Sequence, residues 1–298
     1  MKIVLLGATG QVGRELMRVL PDLGEVVACD RAKADLERPA EVVALLARAR
    51  PDVIVNAAAY TAVDRAESEP DRARLVNATA VAAIAAEAAR QDALFVHYST
   101  DYVFDGTALD PYRETDEPRP LSVYGATKLS GERAVAAAGG RHWIFRTSWV
   151  YAPHGANFLR TILRLAGERD ELAVVADQTG APTSAALIAD VTAEVLRRSR
   201  DPAAAVPEGL YHIAPRGAVS WHGYALAILA AARAHGMRLR TCPEAVRPLT
   251  TAEYPTAARR PANSLLCTVK LEAALASPLA NWQDDVTATV AALAAAAR

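Results

Sequence analysis

Ile3-Val4-Leu5-Leu6-Gly7-Ala8-Thr9-Gly10-Gln11-Val12-Gly13 decides the reading of this chain. Four apolar residues form a short strand candidate, and a Gly-x-x-Gly-x-x-Gly turn follows at Gly7, Gly10 and Gly13. An amphipathic helix candidate begins at Gln11. The first glycine permits a tight turn, and the second lets backbone approach a pyrophosphate. The third lets the helix sit close to the sheet. A helix start presents free N–H groups and a positive dipole end to phosphate. Three glycines can also be a plain turn, but the strand before and the helix after point to dinucleotide binding.

Outward from this turn, β-rich runs alternate with Ala/Leu/Arg-rich stretches. Strands are expected at Ile3–Leu6, Glu25–Cys29, Val53–Val55, Leu94–His97 and Trp143–Phe145, and helices at about 11–20, 39–49, 70–90 and 124–138. Short apolar runs suit strands buried on both faces. The alternation predicts an α/β fold, a Rossmann-type doubly wound parallel sheet. Its domain spans residues 1–150, rejoined by a strand and helix near 172–200. A smaller, mixed substrate-binding region covers 151–298. There, helices are expected at about 157–167, 184–199, 220–235 and 281–297, strands at Leu172–Val175 and Gly209–Ile213, and mostly loop over 243–263.

The second strand ends at Cys29-Asp30-Arg31, with Asp30 17 residues past Gly13. An acid there accepts hydrogen bonds from the adenosine ribose. Asp30 alone favours NADH. Arg31 beside it, with Lys33 nearby, can neutralise the extra phosphate of NADPH, so the coenzyme is read as NADPH or NADH. Tyr124-Gly125-Ala126-Thr127-Lys128 sets a phenol and an ammonium four residues apart on one helix face. A nearby cation favours phenolate, so Lys128 is expected to lower the Tyr124 pKa. Thr100, where the fourth strand ends, supplies a hydroxyl on the edge where such sheets bind ligands. Asn56-Ala57-Ala58-Ala59 offers small residues for close coenzyme approach.

Composition excludes other classes. With 298 residues, 33 basic and 34 acidic side chains, the net charge is −1, which gives no bulk attraction for nucleic acid or an anionic membrane. Aromatic content of 6% offers little stacking surface. Cys29, Cys242 and Cys267 stand far apart, without a zinc or disulfide pattern, and read as buried small hydrophobes. The apolar start stops at Gly7, too short for a signal segment, and no apolar run suits a membrane span. A cytoplasmic protein is expected. The six histidines form no ligand cluster, so no metal is expected.

The segments GATGQVG at 7–13, HYSTDYVFDG at 97–106, VYGATKLSGE at 123–132, DQTGAPTSA at 177–185 and YPTAARRPANS at 254–264 carry a further signal. Through them, and over essentially its whole length, the chain resembles the extended short-chain dehydrogenase/reductase superfamily, and within it the dTDP-4-dehydrorhamnose reductase family. The resemblance implies reduction of the C4 ketone of dTDP-4-dehydro-L-rhamnose, the last step of dTDP-L-rhamnose synthesis. It implies a dTDP-sugar substrate and catalytic roles for Thr100, Tyr124 and Lys128. Coenzyme positions fall on Gln11, Val12, Asp30, Asp35, Leu36, Ala59, Tyr60 and Thr61, with Tyr124 and Lys128 also touching the coenzyme, and substrate positions on Thr100, Asp101 and Trp149. Arg259, Arg260 and Asn263 are candidates for the sugar-nucleotide pyrophosphate, since guanidinium forks suit it. His97, Asp177 and Gln178 are weaker candidates, and Asn77 reads as a backbone-bonding structural residue.

Some members of that family are magnesium-linked dimers. Glu15 is present here, but a second acidic position is Ala186, so no metal is expected and the mode of any homodimer stays open. Two other functions compete with this reading. A regulatory coenzyme-binding subunit would tend to lose the Tyr-x-x-x-Lys pair that this chain keeps. A dehydratase or epimerase of the same fold is disfavoured because Asp101-Tyr102, rather than an Asp-Glu pair, follows Thr100.

Overall fold

The structure, a computed structural model, describes residues 1–296. Six parallel strands form its main sheet: β1 Lys2–Leu6, β2 Glu25–Cys29, β3 Val53–Asn56, β4 Leu94–Thr100, β5 His142–Thr147 and β6 Gly209–His212. Their order is β6-β5-β4-β3-β1-β2, so the chain reverses direction of growth between β1 and β3. Ligands of such sheets bind beyond the strand ends at that switch point. The register brings Leu6, Cys29 and Asn56 to one edge, with His97 beside Asn56 and Thr100 beside Thr147.

Successive strand side chains point to opposite faces, which splits the core into two layers. On one face Ile3, Leu5, Val55, Val96 and Phe145 pack with Leu16 of helix Gln11–Val19 and Ile188 and Val195 of helix Ala185–Arg198. On the other, Val4, Leu6, Ile54, Phe95 and Ile144 pack with Val42 and Leu46 of helix Pro39–Ala49 and with Ile84 of helix Ala80–Arg90. These residues are almost fully buried. Truncating one, such as Ile84 to Ala, should cost about 2–5 kcal/mol. A third core unites Tyr151, Leu159, Ile162, Tyr224, Ile228 and Val286, away from the sheet.

Several expected boundaries differ. The strand Leu172–Val175 pairs with Val246–Leu249 in a separate two-stranded sheet, and β6 is the strand that returns to the main sheet. Helix Ala185–Arg198 does return, packing on the first helix through the first core layer. The helix expected over 70–90 runs without interruption from Pro70 to Arg90 and carries a π-helical turn at Leu75–Thr79. Asn77 explains the turn. Its Oδ1 accepts from Tyr60 N at 2.9 Å and its Nδ2 donates to Tyr60 O at 3.0 Å, so the turn bonds to the loop after β3. Short helices Val63–Ser68 and Val269–Leu275 carried no clear apolar period. Cys29 is buried, whereas Cys242 and Cys267 are only partly covered because they sit in surface connections. The final helix runs Trp282–Ala296, and its expected extension to 297 lies outside the described residues.

Candidate active site

A cleft of about 880 Å³ opens above the strand ends. Gly7, Gly10, Gln11, Val12, Arg31, Asp35, Leu36, Ala59, Tyr60 and Thr61 line it, together with Thr100, Asp101, Tyr124, Lys128 and Trp149. Residues from six separate loops and elements therefore share one space.

At the turn, Gly7 has φ +78°, and a Cβ there would fall 2.7 Å from Ala58 N. A Cβ on Gly13 would fall 2.1 Å from Gly7 O. Gly13 thus closes the turn against the helix and is absent from the cleft wall. Gly10 caps the helix with no side-chain hydrogen bond. The first helical N–H groups have no partner within the helix, so an uncapped start accepts an anion. The turn fits a dinucleotide pyrophosphate on these grounds. Gln11 Oε1 accepts from Asn157 Nδ2 at 2.8 Å, which ties the turn to the second region.

Beyond β2, the placement differs from the sequence expectation. The Asp30 carboxylate is exposed and accepts from Lys33 N at 3.0 Å, outside the cleft wall. Asp35 stands on the wall instead. Around it stands a charged lattice that the sequence did not signal. Arg31 pairs with Glu37, and its Nε lies 3.5 Å from Asp35 Oδ1. Arg72 donates to Glu37 Oε1 through Nε at 3.0 Å and Nη2 at 2.8 Å. Arg72 also reaches Glu69 at 3.1 Å, and Tyr60 OH donates to Glu69 at 2.9 Å. Arg65, Tyr60 and Arg72 together hold the Glu69 carboxyl down at about 2.

Farther along the sheet from β2, β4 and helix Val123–Ala137 deliver the chemistry. Ser122 caps that helix by accepting from Gly125 N at 3.2 Å, which starts it immediately before Tyr124. Lys128 is buried and donates to Tyr98 O at 2.6 Å, with His97 Nε2 3.3 Å away. His97 Nδ1 lies 3.3 Å from Asn56 Nδ2. Asn56 Oδ1 is taken by Ala58 N at 3.2 Å, so its amide donates to His97 and leaves the imidazole proton on Nε2, toward Lys128. Burial pulls the Lys128 ammonium down to about 8, against the pull of Glu132.

Tyr124 contradicts the expected shift. Desolvation of the phenol pushes it up to about 12, opposed by its hydrogen bond with Thr100. Burial prevails, the Asp101 charge adds to it, and the Lys128 ammonium is directed to the Tyr98 carbonyl. Thr100 Oγ1 donates to Asp101 Oδ1 at 2.9 Å and accepts from Tyr102 N at 3.2 Å. Burial raises the Asp101 carboxyl to about 6, opposed by hydrogen bonding from Ser264 and Thr100.

Trp149 lines the cleft with φ +49°, a strained conformation for a bulky residue. Its indole stacks on Trp221 at 3.5 Å and 10°. The C-terminal candidates stand elsewhere. The Arg260 fork is held by Asp64 at 2.8 and 2.6 Å. Asn263 is buried, donating to Ala108 O and Asp110 O and accepting from Leu265 N. Its amide is therefore committed to backbone. Arg259 is exposed. None of the three lines the cleft. Asp177 and Gln178 both bond Thr251. Among the described residues, no group of three or more His, Cys, Asp or Glu side chains could hold a metal ion. No helix among them is long and apolar enough to cross a membrane.

A parallel sheet with a glycine turn after β1 and a Thr–Tyr–Lys set at one cleft defines a nicotinamide-coenzyme oxidoreductase of the short-chain dehydrogenase/reductase class. The family model described as RmlD substrate binding domain matches residues 1–295. A dTDP-4-dehydrorhamnose reductase of Burkholderia thailandensis is 52% identical, over 95% of this chain and 96% of the relative. One from Escherichia coli K12 is 48% identical, over 96% of each. The solved dTDP-4-dehydrorhamnose reductase of Bacillus anthracis in complex with NADP superposes with a TM-score of 0.88 at 32% identity, covering 97% of this chain and 98% of that one. The chain belongs to the dTDP-4-dehydrorhamnose reductase family. A Thermus thermophilus UDP-glucose 4-epimerase, 20% identical with a TM-score of 0.79, shares the fold alone.

Proposed function

We propose that this protein reduces the C4 ketone of dTDP-4-dehydro-L-rhamnose to dTDP-L-rhamnose with NADPH or NADH, the last step of dTDP-rhamnose synthesis. Residues 1–150, rejoined by helix Ala185–Arg198 and strand Gly209–His212, form the coenzyme domain and the remainder of 151–298 the substrate region, and the protein works in the cytoplasm, with homodimer formation as its assembly. The observation that carries the reading is the shared cleft, where the uncapped glycine turn and Thr100, Tyr124 and Lys128 face one space.

Bound coenzyme supplies the hydride. The glycine turn and the start of helix Gln11–Val19 hold the pyrophosphate. Tyr124 keeps its proton at neutral pH, because burial raises it to about 12, and that is the form able to donate to a developing alkoxide. Thr100 turns its hydroxyl from Asp101 toward the same oxygen and stabilises charge there. Lys128 leaves the Tyr98 carbonyl to bond the nicotinamide ribose, which brings its ammonium nearer the phenol. Trp149 offers an apolar face to the deoxysugar.

The experiment mixes protein, NADPH and dTDP- or UDP-linked 4-keto sugars and follows coenzyme absorbance and product. Net coenzyme oxidation with the dTDP-sugar is expected. Product formed without net oxidation, or no turnover with any 4-keto sugar nucleotide, overturns the reading.

A further inference from the structure

The lattice beyond β2 assigns a residue that the coenzyme turn does not. We propose that Glu37 sets the preference between NADPH and NADH by holding Arg31 and Arg72 away from an adenosine 2′-phosphate. This rests on the coenzyme reading above.

The region beyond β2 is where the adenosine ribose of a dinucleotide lies in this fold. Arg31, Asp35, Glu37, Arg65 and Arg72 all stand on that part of the wall. Guanidinium forks bind phosphate bidentately, so Arg31 and Arg72 are the natural arms for a 2′-phosphate. Both forks are engaged by one carboxylate oxygen, Glu37 Oε1. Glu69 engages Arg72 and Arg65, and Asp35 lies beside Arg31. Three guanidinium groups thus face three carboxylates, so this lattice offers an incoming phosphate no net positive charge of its own. A ribose bearing only hydroxyls is not penalised, since it needs an acceptor such as Asp35.

Glu37 is well placed to act as a fixed competitor. Its backbone N donates to Asp35 Oδ1 at 3.0 Å, just before helix Pro39–Ala49, so the residue is anchored at the wall. Its side chain is 28% exposed, against 66% for Arg31 and 38% for Arg72, so the acid sits deeper than the arms it restrains. The arms are the more exposed partners, and neutralising the acid removes the carboxylate that both share.

The test measures Kd for NADPH and for NADH without sugar substrate, by calorimetry, on the whole protein. Glu37→Gln keeps the shape and one amide oxygen acceptor while removing the charge. It should tighten NADPH by about tenfold, the scale of one released charge-assisted hydrogen bond, and shift NADH by less than about twofold. The NADPH affinity of the variant should also fall more steeply with added salt. Arg72→Gln placed in the Glu37→Gln background should cancel most of the gain. Glu41→Gln, on the same segment but paired outward with Arg38, should change neither coenzyme. Equal shifts for both coenzymes, or NADPH affinity that fails to rise, overturns the proposal while leaving the reductase reading intact. Failure of the wild-type protein to bind either coenzyme removes the reductase reading and the proposal with it.

Discussion

The Thr100 hydroxyl donates to Asp101 Oδ1 at 2.9 Å, so the alcohol at the end of β4 is held by its own neighbour. Asp101 is 2% exposed, and burial raises its carboxyl to about 6. The folded state therefore keeps this proton longer than the unfolded chain does. Stability from this group is full below the unfolded value near 3.8 and is lost as pH rises through about 6. We expect Asp101→Asn to remove that loss. The stability difference between variant and wild type, from urea unfolding, should move in the variant's favour from about pH 4 to pH 7. A difference that stays flat across this range contradicts the assignment.

Tyr124→Phe keeps the ring and its edge contact with Tyr102, whose centroid lies 5.5 Å away. Only the hydroxyl is lost. General acid catalysis is worth about 10²–10⁴-fold, so kcat should fall by that much with coenzyme Kd nearly unchanged. Near-normal kcat, where chemistry limits the rate, would sink the mechanism.

Lys128 should give coenzyme binding its pH dependence. Its folded pKa of about 8 lies below the ordinary 10.5, so the ammonium is lost as pH rises through about 8. Coenzyme affinity, read by fluorescence titration, should weaken above that pH. Lys128→Met should be weak and nearly pH-independent, because it has no ammonium to lose. A wild-type profile that stays level to about pH 9.5 argues against this role.

Arg260 and Asp64 join segments far apart in the chain through a two-pronged ion pair, partly exposed on both sides. Exposed and half-exposed pairs contribute about 0–1 kcal/mol, and two-pronged geometry places this one toward the upper end. Arg260→Ala and Asp64→Ala should each destabilise, and the double variant should lose less than the two losses added together. Strict additivity in the double-mutant cycle would show that the two do not act as a pair.

Trp149 has little backbone freedom, since a left-handed φ of +49° is held against the Trp221 ring. Trp149→Ala should raise the sugar-nucleotide KM and leave coenzyme Kd within about twofold, because it follows β5, which β4, β3 and β1 separate from β2 and Arg31. Loss of coenzyme binding together with substrate binding would instead mark it as part of the general scaffold.

Local sequence was enough for everything that depends on a few neighbouring residues. Gly7, Gly10 and Gly13 dictate the turn because backbone clearance is a short-range matter, and Gln11–Val19 follows from its apolar period. The buried strands announce themselves as short apolar runs, with Glu25–Cys29 at its expected bounds. Tyr124 and Lys128 share a face because four residues make about one helical turn. What the chain could not spell out depends on contacts between distant segments. Glu37 meets Arg72 across 35 residues, and Arg260 meets Asp64 across 196. Leu172–Val175 and Gly209–His212 look alike as runs, and only packing assigned the second to the main sheet. The π-helical turn at Leu75–Thr79 exists because Asn77 bonds Tyr60 and sits against Gly131, where a Cβ would come within 2.2 Å of Asn77 O. The protonation of the catalytic set was decided by the tertiary structure as well. Tyr124, Lys128 and Asp101 shift through burial, and no reading of neighbouring letters reports how much water a folded cleft removes.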